Sequence, residues 1–260
     1  MSGPAKPSRR SPFRWFRDVN VAASWATTPH ALWETRGFAI YDWVARGLLG
    51  EAGVNRVADV GGGRTWYFGE GYRDSNPDFH LIGIDVDPAE LALNPMLDEA
   101  IATDICESLQ VEDGSLDLVL CRATVEHLHD TGAFMANVHR ALRPGGKAAF
   151  VFAGKWAPPM IMNRIVGHGW ANKLLRRLVP GTEGYGGFRA HYDLCTDGAF
   201  RRKAEALGFA VEYRYASYYS SSYFQFFLPV HVLSIAGDYL RQILSIRALA
   251  SMNLFVLRKE

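Results

Sequence analysis

The fold is decided by residues 57–65, which read Val-Ala-Asp-Val-Gly-Gly-Gly-Arg-Thr. A short apolar run rich in β-branched residues is typical of a buried parallel strand. The three glycines after it let the chain turn while its bare backbone lies against a ligand. A plain turn between a strand and a helix can have the same sequence, because short glycine motifs also arise by chance. The neighbouring sequence therefore has to discriminate between the two readings.

A second apolar run, residues 81–85, ends in Asp85 about 20 residues after the glycines, which is the spacing at which a βαβ unit places a carboxylate on ribose hydroxyls. A third acid, Asp104, follows residues 100–103, and two further strand patterns cover residues 116–121 and 147–153. Strands and helices alternate along this half of the chain. The order predicts a doubly wound α/β fold.

These pieces together resemble the class I S-adenosylmethionine-dependent methyltransferases over residues 56–152. The later run at 188–209 resembles the late part of bacterial small-molecule methyltransferases. The motifs that carry the resemblance are residues 59–63, Asp85, residues 103–105, the 116–121 strand with Val-Glu-His-Leu at 125–128, and Leu-Arg-Pro-Gly-Gly at 142–146. The resemblance implies a Rossmann-like, mostly parallel seven-stranded sheet with helical additions. Its last strand, over residues 253–257, would be antiparallel.

The resemblance also implies a set of S-adenosylmethionine contacts at the strand ends, namely Asp59, Gly61, Gly63, Asp85, Asp104, Ile105 and Cys121. The two glycines would let the backbone approach the methionine part, and Asp59 would orient its amino group. Asp85 would hold the ribose hydroxyls, while Asp104 and Ile105 would contact the adenine. Two alternatives stay open: a non-catalytic scaffold of the same fold, and a nicotinamide-dependent oxidoreductase. The oxidoreductase is disfavoured because Trp66 stands where a dinucleotide fingerprint needs a small residue.

Composition agrees with one compact enzyme domain. The chain has 260 residues, 48% of them hydrophobic, and a net charge of +1, so it can bury a full core and lacks the basic excess of a nucleic-acid-binding protein. Its three cysteines are too few and too scattered for a disulfide framework or a zinc site, which favours a cytoplasmic protein. We expect a disordered tail at 1–12 and a single domain at 13–260, with the cofactor half at about 50–153.

A helix is predicted over residues 29–49, with Thr28 as its N-cap and Gly50 at its end. Its many apolar side chains indicate packing on the sheet or over the cofactor. A later helix, closed by Gly208, is predicted from residue 196, and the next strand from Phe209.

Two additions, at about 154–198 and 216–251, are expected to build the acceptor site, because connections in such folds are normally short. The first contains a mixed apolar and basic helix pattern at 160–178 and a glycine-rich stretch at 181–187, which can serve as a lid. His191 follows it and is the preferred general base for a hydroxyl acceptor, with His127 as the other candidate. We expect no metal, because Ala123 stands where metal-binding relatives carry a glutamate.

The second addition opens with an aromatic-rich segment, residues 218–229, and continues into an amphipathic helix. Either the helix packs on the sheet, or it lies at a membrane interface or over a lipid-linked acceptor. Polar residues interrupt it too often for a transmembrane span. The predicted activity is methyl transfer from S-adenosylmethionine to a small-molecule or sugar-containing acceptor, at oxygen.

Overall fold

A seven-stranded sheet is the centre of the computed structural model, which describes residues 12–166 and 189–260. The strands are β1 (Arg56–Val60), β2 (His80–Asp85), β3 (Glu99–Ala102), β4 (Leu116–Arg122), β5 (Leu142–Ala153), β6 (Phe209–Ser217) and β7 (Met252–Lys259). Their order across the sheet is β3-β2-β1-β4-β5-β7-β6. The first five run parallel, and β7 lies antiparallel between β5 and β6. The predicted fold class is confirmed.

The helices are α1 (Pro12–Thr27), α2 (His30–Glu34), α3 (Gly37–Leu49), α4 (Gly71–Ser75), α5 (Pro88–Leu91), α6 (Thr131–Ala141), α7 (Pro158–Val166), α8 (Asp197–Ala206) and α9 (Leu228–Ile243). Short 3₁₀ turns occupy Val125–His127, Ser221–Phe224 and Arg247–Leu249. On one face of the sheet, Tyr41 and Ala45 of α3 are fully buried. On the other face, Phe134 of α6 packs in one cluster with Phe200 of α8. Helices therefore cover both faces, as a doubly wound fold requires.

The helix predicted over residues 29–49 is two helices, α2 and α3. Thr35 donates its hydroxyl to the Leu32 carbonyl at the end of α2, and Arg36 adopts extended backbone before α3 begins. A Cβ on Gly37 would lie 2.6 Å from Cβ of Met252, so the break brings the start of α3 directly against β7. The predicted N-cap is also wrong, because the Thr28 hydroxyl donates to the Ser24 carbonyl and contacts His231. Gly50 ends α3 as predicted.

Other predicted element boundaries agree in part with the structure. The helix predicted from residue 196 begins at Asp197, because Thr196 caps it through a hydrogen bond from the Ala199 amide, and β6 begins at Phe209 as predicted. Strand β5 begins at Leu142 rather than at residue 147, because Leu142 already pairs with Leu116 before the register shifts. The predicted tail reaches one residue too far, since Pro12 opens α1.

Several predictions fall partly or wholly outside the described residues. They are the tail at 1–11, the helix pattern beyond Val166 and the glycine-rich stretch at 181–187. Within residues 12–166 and 189–260, no helix combines the length and the apolar character that crossing a bilayer requires.

Helix α9 forms where the sequence predicts one, but its apolar side does not pack on the sheet. His231 and Asp238 are fully buried, and Arg241 nearly so. Leu233 and Ile243, on the apolar side, are 73% and 77% exposed. The helix is therefore inverted relative to an ordinary surface helix, which buries its apolar stripe and exposes its polar one.

Candidate functional site

The predicted cofactor residues meet at one edge of the sheet. Asp59 lies in β1, Asp85 ends β2, Asp104 stands two residues beyond β3, and Cys121 lies near the end of β4. Because β1 to β4 are parallel, their carboxyl ends share this edge. Crevices outside the carboxyl ends of such strands are where ligands bind in open α/β sheets.

The glycine loop after β1 offers a bare backbone surface. Gly61 and Gly63 have φ values of +73° and +53°, which side chains rarely adopt. A Cβ on Gly61 would lie 2.2 Å from Thr124 Oγ1, and one on Gly62 would lie 2.1 Å from Asp59 Oδ2. Only glycine fits this turn. The loop is held by the Gly61 amide, which donates to the Ile84 carbonyl at 2.7 Å.

Asp85 lies directly beside this loop. Its Oδ1 accepts a hydrogen bond from the Asp87 amide at 3.0 Å, while Oδ2 is 3.7 Å from the place where a Cβ on Gly63 would stand. Asn94, which is buried, donates its side-chain amide to the Gly63 carbonyl and fixes that side of the loop. The Asp85 carboxylate can therefore accept hydrogen bonds from a diol laid across the loop, as the ribose role implies.

Asp59 is a buried acid with a perturbed pKa. Burial raises the pKa of its carboxyl to about 7, the negative charge of Asp85 adds to the rise, and Arg122 opposes it. A cationic ligand at this edge would reverse the shift by stabilising the carboxylate. Cys121 beside it is fully buried, and burial raises the pKa of its thiol far above the usual range, so the thiol stays neutral.

The end of β3 is ordered by local hydrogen bonds. Asp104 accepts from the Cys106 amide at 2.9 Å, and the Ile105 carbonyl accepts from the Asn137 side chain at 3.1 Å. The Thr103 amide donates to the Asp85 carbonyl at 3.0 Å, which ties this segment to β2. Asp104 and the buried Ile105 thus stand where an adenine ring could meet them, beside the ribose position.

One set of ligand-type side chains occurs in the described ranges at this end of the sheet. Atoms of Asp104, Cys106 and His129 lie within 4.8 Å of one another. Burial raises the pKa of the Cys106 thiol, which disfavours the thiolate that metals bind. The expected absence of a metal remains a prediction.

The two histidine candidates belong to segments that touch. The Glu126 carbonyl accepts hydrogen bonds from the amides of His191 at 2.8 Å and Tyr192 at 3.0 Å. His127 Nδ1 is 3.4 Å from the Arg189 carbonyl. Residues 189–192 are therefore bound to the 3₁₀ turn Val125–His127, which follows the carboxyl end of β4. His191 is exposed and His127 half-buried.

Tyr192, next to His191, has a structural setting. It is buried, and its hydroxyl lies 3.2 Å from Met160 Sδ in α7. Burial, with a contribution from Glu126, raises the pKa of the phenol to about 12. Its hydroxyl is therefore a poor proton donor or acceptor near neutral pH, and the tyrosine anchors the segment that carries His191.

Glu126 is a site residue that the sequence analysis did not select. Its side chain is buried, and burial raises the pKa of the carboxyl to about 7. Oε1 accepts from the Ala153 amide at 3.4 Å, and Oε2 has no hydrogen-bond partner among the described residues. The Glu-His pair at 126–127 was visible in the sequence, but burial depends on β5 and on residues 189–192, which lie far away along the chain.

Arg122, at the end of β4, was also missed. Its guanidinium pairs with Asp42 and lies 4.1 Å from the ring centres of both Phe38 and Tyr67. Tyr67 therefore covers the Arg122 guanidinium at the carboxyl end of β4. Trp66 instead packs against Phe68 and donates its indole N–H to the Gly69 carbonyl, so it belongs to the core contacts of the loop.

Comparison with known proteins agrees with the motifs. The family model described as a methyltransferase domain matches residues 58–150. The chain is 33% identical over 116 residues to phosphoethanolamine N-methyltransferase 2 of Caenorhabditis elegans, covering 39% of this chain and 26% of that protein. It spans about a quarter or less of the length of the curated relatives it matches.

Solved structures share the fold. An S-adenosylmethionine-dependent methyltransferase from Mesorhizobium loti superposes with a TM-score of 0.50 at 20% identity, covering 84% of this chain and 98% of that one. Phosphoethanolamine N-methyltransferase 2 of Haemonchus contortus, solved with phosphomonomethylethanolamine and S-adenosylhomocysteine, superposes with a TM-score of 0.50 at 16% identity, covering 98% and 62%. The resemblance inferred from the sequence motifs is confirmed.

Proposed function

Because residues 58–150 match the family model described as a methyltransferase domain, we propose that the chain transfers a methyl group from S-adenosylmethionine to the oxygen of a small-molecule or sugar-containing acceptor. One observation carries the proposal. The glycine loop, Asp85 and Asp104 form a cradle at the same sheet edge to which residues 189–192 are bound. This arrangement supports a cofactor site with a candidate base on the segment beside it.

The described residues fit the cofactor. The cradle has no room for a side chain at Gly61 and Gly62, Asp85 presents an oxygen for hydroxyls, and the raised pKa of Asp59 suits a site that gains a cation. S-adenosylmethionine supplies a methyl group on a positively charged sulfur that is its own leaving group. The protein therefore contributes chiefly by holding the acceptor close and in line.

A hydroxyl acceptor must lose its proton when the oxygen forms the new bond to carbon. We assign His191 to take that proton, because its imidazole is exposed at the edge while its backbone is fixed by Glu126. Arg189 lies on the same short segment and can meet an anionic group of the acceptor through its planar fork. His127, on the neighbouring turn, is the alternative base.

A second candidate is methyl transfer to an amine. The curated relatives that support it are phosphoethanolamine N-methyltransferases, although each is matched over only part of its length. A neutral amine also needs a proton acceptor, and the same edge would serve. The three free, buried cysteines support a cytoplasmic setting for either reaction.

The test uses a metabolite extract and S-adenosylmethionine with an isotopically labelled methyl group. We expect mass spectrometry to find one small metabolite that gains the label, and fragmentation to place it on oxygen; label on nitrogen selects the second candidate. Absence of any labelled metabolite, with the cofactor bound, contradicts the proposed activity and favours a non-catalytic scaffold.

The base is tested with the labelled metabolite and two matched variants. We expect His191→Ala to lower the transfer rate by about 100-fold or more, with unchanged affinity for S-adenosylhomocysteine, while His127→Ala stays near wild type. The reverse result moves the base to His127. Full activity of both variants means that transfer depends on positioning alone.

A further inference from the structure

Two cations and an indole ring lie together just after the carboxyl end of β5. They belong to Lys155, Trp156 and Arg164, which we call the β5–α7 cluster. The Lys155 ammonium lies 5.8 Å from the centre of the Trp156 ring, and the Arg164 guanidinium carbon lies 4.6 Å from it. Trp156 is nevertheless 45% exposed. Both cations therefore stand against one ring that a ligand can still reach.

The cluster lies at the same edge of the sheet as the glycine loop. Strand β5 runs parallel to β4, so its carboxyl end shares the edge formed by β1 to β4. The Lys155 amide donates to the Cys195 carbonyl at 2.7 Å, and the Arg164 guanidinium lies 5.9 Å from the ring centre of Tyr192. The cluster thus packs against the stretch that directly follows His191, the candidate base.

The charges of the cluster are not compensated by acids in the described part of the chain. Neither Lys155 nor Arg164 forms an ion pair with a carboxylate of residues 12–166 or 189–260. The Asp193 carboxylate, on the neighbouring stretch, instead accepts a hydrogen bond from the Thr131 amide at 2.8 Å. A pair of cations without an acid at a sheet edge that binds ligands indicates that the ligand itself supplies negative charge.

The donors that remain in the cluster suit an oxyanion. Arg164 uses Nη2 to donate to the Lys155 carbonyl at 2.8 Å, which fixes the guanidinium beside the ring, and its other N–H groups have no partner among the described residues. A planar guanidinium can donate to two oxygens of a phosphate or carboxylate, and an ammonium adds a compact charge. The exposed indole offers an apolar wall for the carbon part of the same ligand.

We propose that the β5–α7 cluster binds an anionic group of the methyl acceptor. The acceptor is then a phosphate ester or a carboxylate that also carries the group to be methylated. Lys155 and Arg164 contact the oxyanion, and this contact fixes the orientation in which the rest of the acceptor meets the methyl group. The inference rests on the proposed function, which it deepens by naming the chemical class of the acceptor.

The first test examines the metabolite that gains the label in the extract experiment. We expect its fragmentation to show a phosphate or a carboxylate group, and the group that is lost distinguishes between the two. A labelled product with neither group overturns this inference and leaves the proposed methyl transfer intact. An extract without any labelled product contradicts the proposed function itself, and this inference with it.

The second test uses that metabolite as the substrate of variants that each remove one cation. We expect Lys155→Gln and Arg164→Gln to raise KM for the metabolite by about tenfold or more, because each loses a hydrogen bond between charged groups. The change in kcat should be much smaller, and the affinity for S-adenosylhomocysteine should stay the same. Arg164→Lys keeps the charge but loses the planar fork, so its KM should lie between those of wild type and Arg164→Gln.

Arg140→Gln is the matched control, and it should keep the wild-type KM. Arg140 lies at the opposite edge of the sheet, where its carbonyl accepts from the Gly114 amide just before β4 begins. Thermal unfolding of each variant verifies the fold, and Lys155→Gln with Arg164→Lys carries the test if Arg164→Gln does not fold. Wild-type KM values in the variants of both cluster cations overturn the proposal.

Discussion

The carboxyl-end edge of the sheet and the inner side of α9 treat buried charge in opposite ways. At the edge, Asp59 and Glu126 are buried acids whose pKa values burial raises to about 7, and Oε2 of Glu126 has no partner among the described residues. On the inner side of α9, Asp238 is fully buried but accepts hydrogen bonds from Ser220 and Ser221 and pairs with Arg241.

This difference distinguishes a candidate ligand-binding site from a charge network with a structural role. A satisfied charge network fixes how a helix sits, at the expense of leaving its apolar side in water. Buried acids with raised pKa values are typical of functional sites, where a ligand completes their environment. The same contrast predicts which substitutions unfold the protein and which change only its response to pH.

The largest expected effect is on stability and concerns the Asp238–Arg241 network. Asp238→Ala should lower the free energy of unfolding by about 3–5 kcal/mol, because it leaves the buried Arg241 guanidinium uncompensated. The measurement is urea unfolding followed by circular dichroism. The double variant Asp238→Leu, Arg241→Leu should lose less than the single one, since it removes both charges.

An exposed pair serves as the control for that prediction. Arg201→Ala removes the Arg201–Glu205 pair on the surface of α8 and should cost about 1 kcal/mol or less. If Asp238→Ala costs no more than Arg201→Ala, the buried network does not hold α9, and the contrast between the two regions fails.

A smaller effect is expected at the edge and concerns pH. The pKa of Glu126 is raised to about 7 from an ordinary value of 4.5, so between these values the folded state holds a proton that the unfolded state has lost. Its contribution to stability therefore falls as pH rises through this window and is constant above it. Relative to Glu126→Gln, wild type should lose about 2 kcal/mol of unfolding free energy between pH 5 and pH 8.

The comparison with Glu126→Gln cancels the other titrating groups, Asp59 included, because both proteins carry them. Parallel pH profiles of the two proteins would show that Glu126 titrates normally. Glu126 would then behave as a solvated acid and not as a buried acid of a ligand-binding site.

Sequence patterns predict the strand ends and the glycine turn of this edge because their signals are local, while the ligand contacts assigned to them stay predictions. The acids at positions 59 and 85 follow apolar runs directly, and the glycines at 61 and 63 have positive φ values that other residues rarely adopt. Strand order then follows from the family motifs. The buried state of Glu126 escaped prediction, since it arises from contacts with Ala153 and with residues 189–192.

The helical additions are predicted less well because distant contacts override their periodicity. Helix α9 reads as an ordinary amphipathic helix, yet Ser220, Ser221 and Thr28 bind its polar side. The break between α2 and α3 likewise depends on the approach of Gly37 to Met252, a residue more than two hundred positions away. Neither contact has a signature in the local sequence.

Calorimetric titration with S-adenosylhomocysteine, and separately with NAD, tests the central claim that the edge is an S-adenosylmethionine site. We expect saturable binding of S-adenosylhomocysteine and none of NAD. Asp85→Ala should weaken that binding by about 1.5–3 kcal/mol, the scale of a hydrogen bond to a charged group. Binding of NAD without any response to S-adenosylhomocysteine, or an affinity that Asp85→Ala leaves unchanged, would contradict the account.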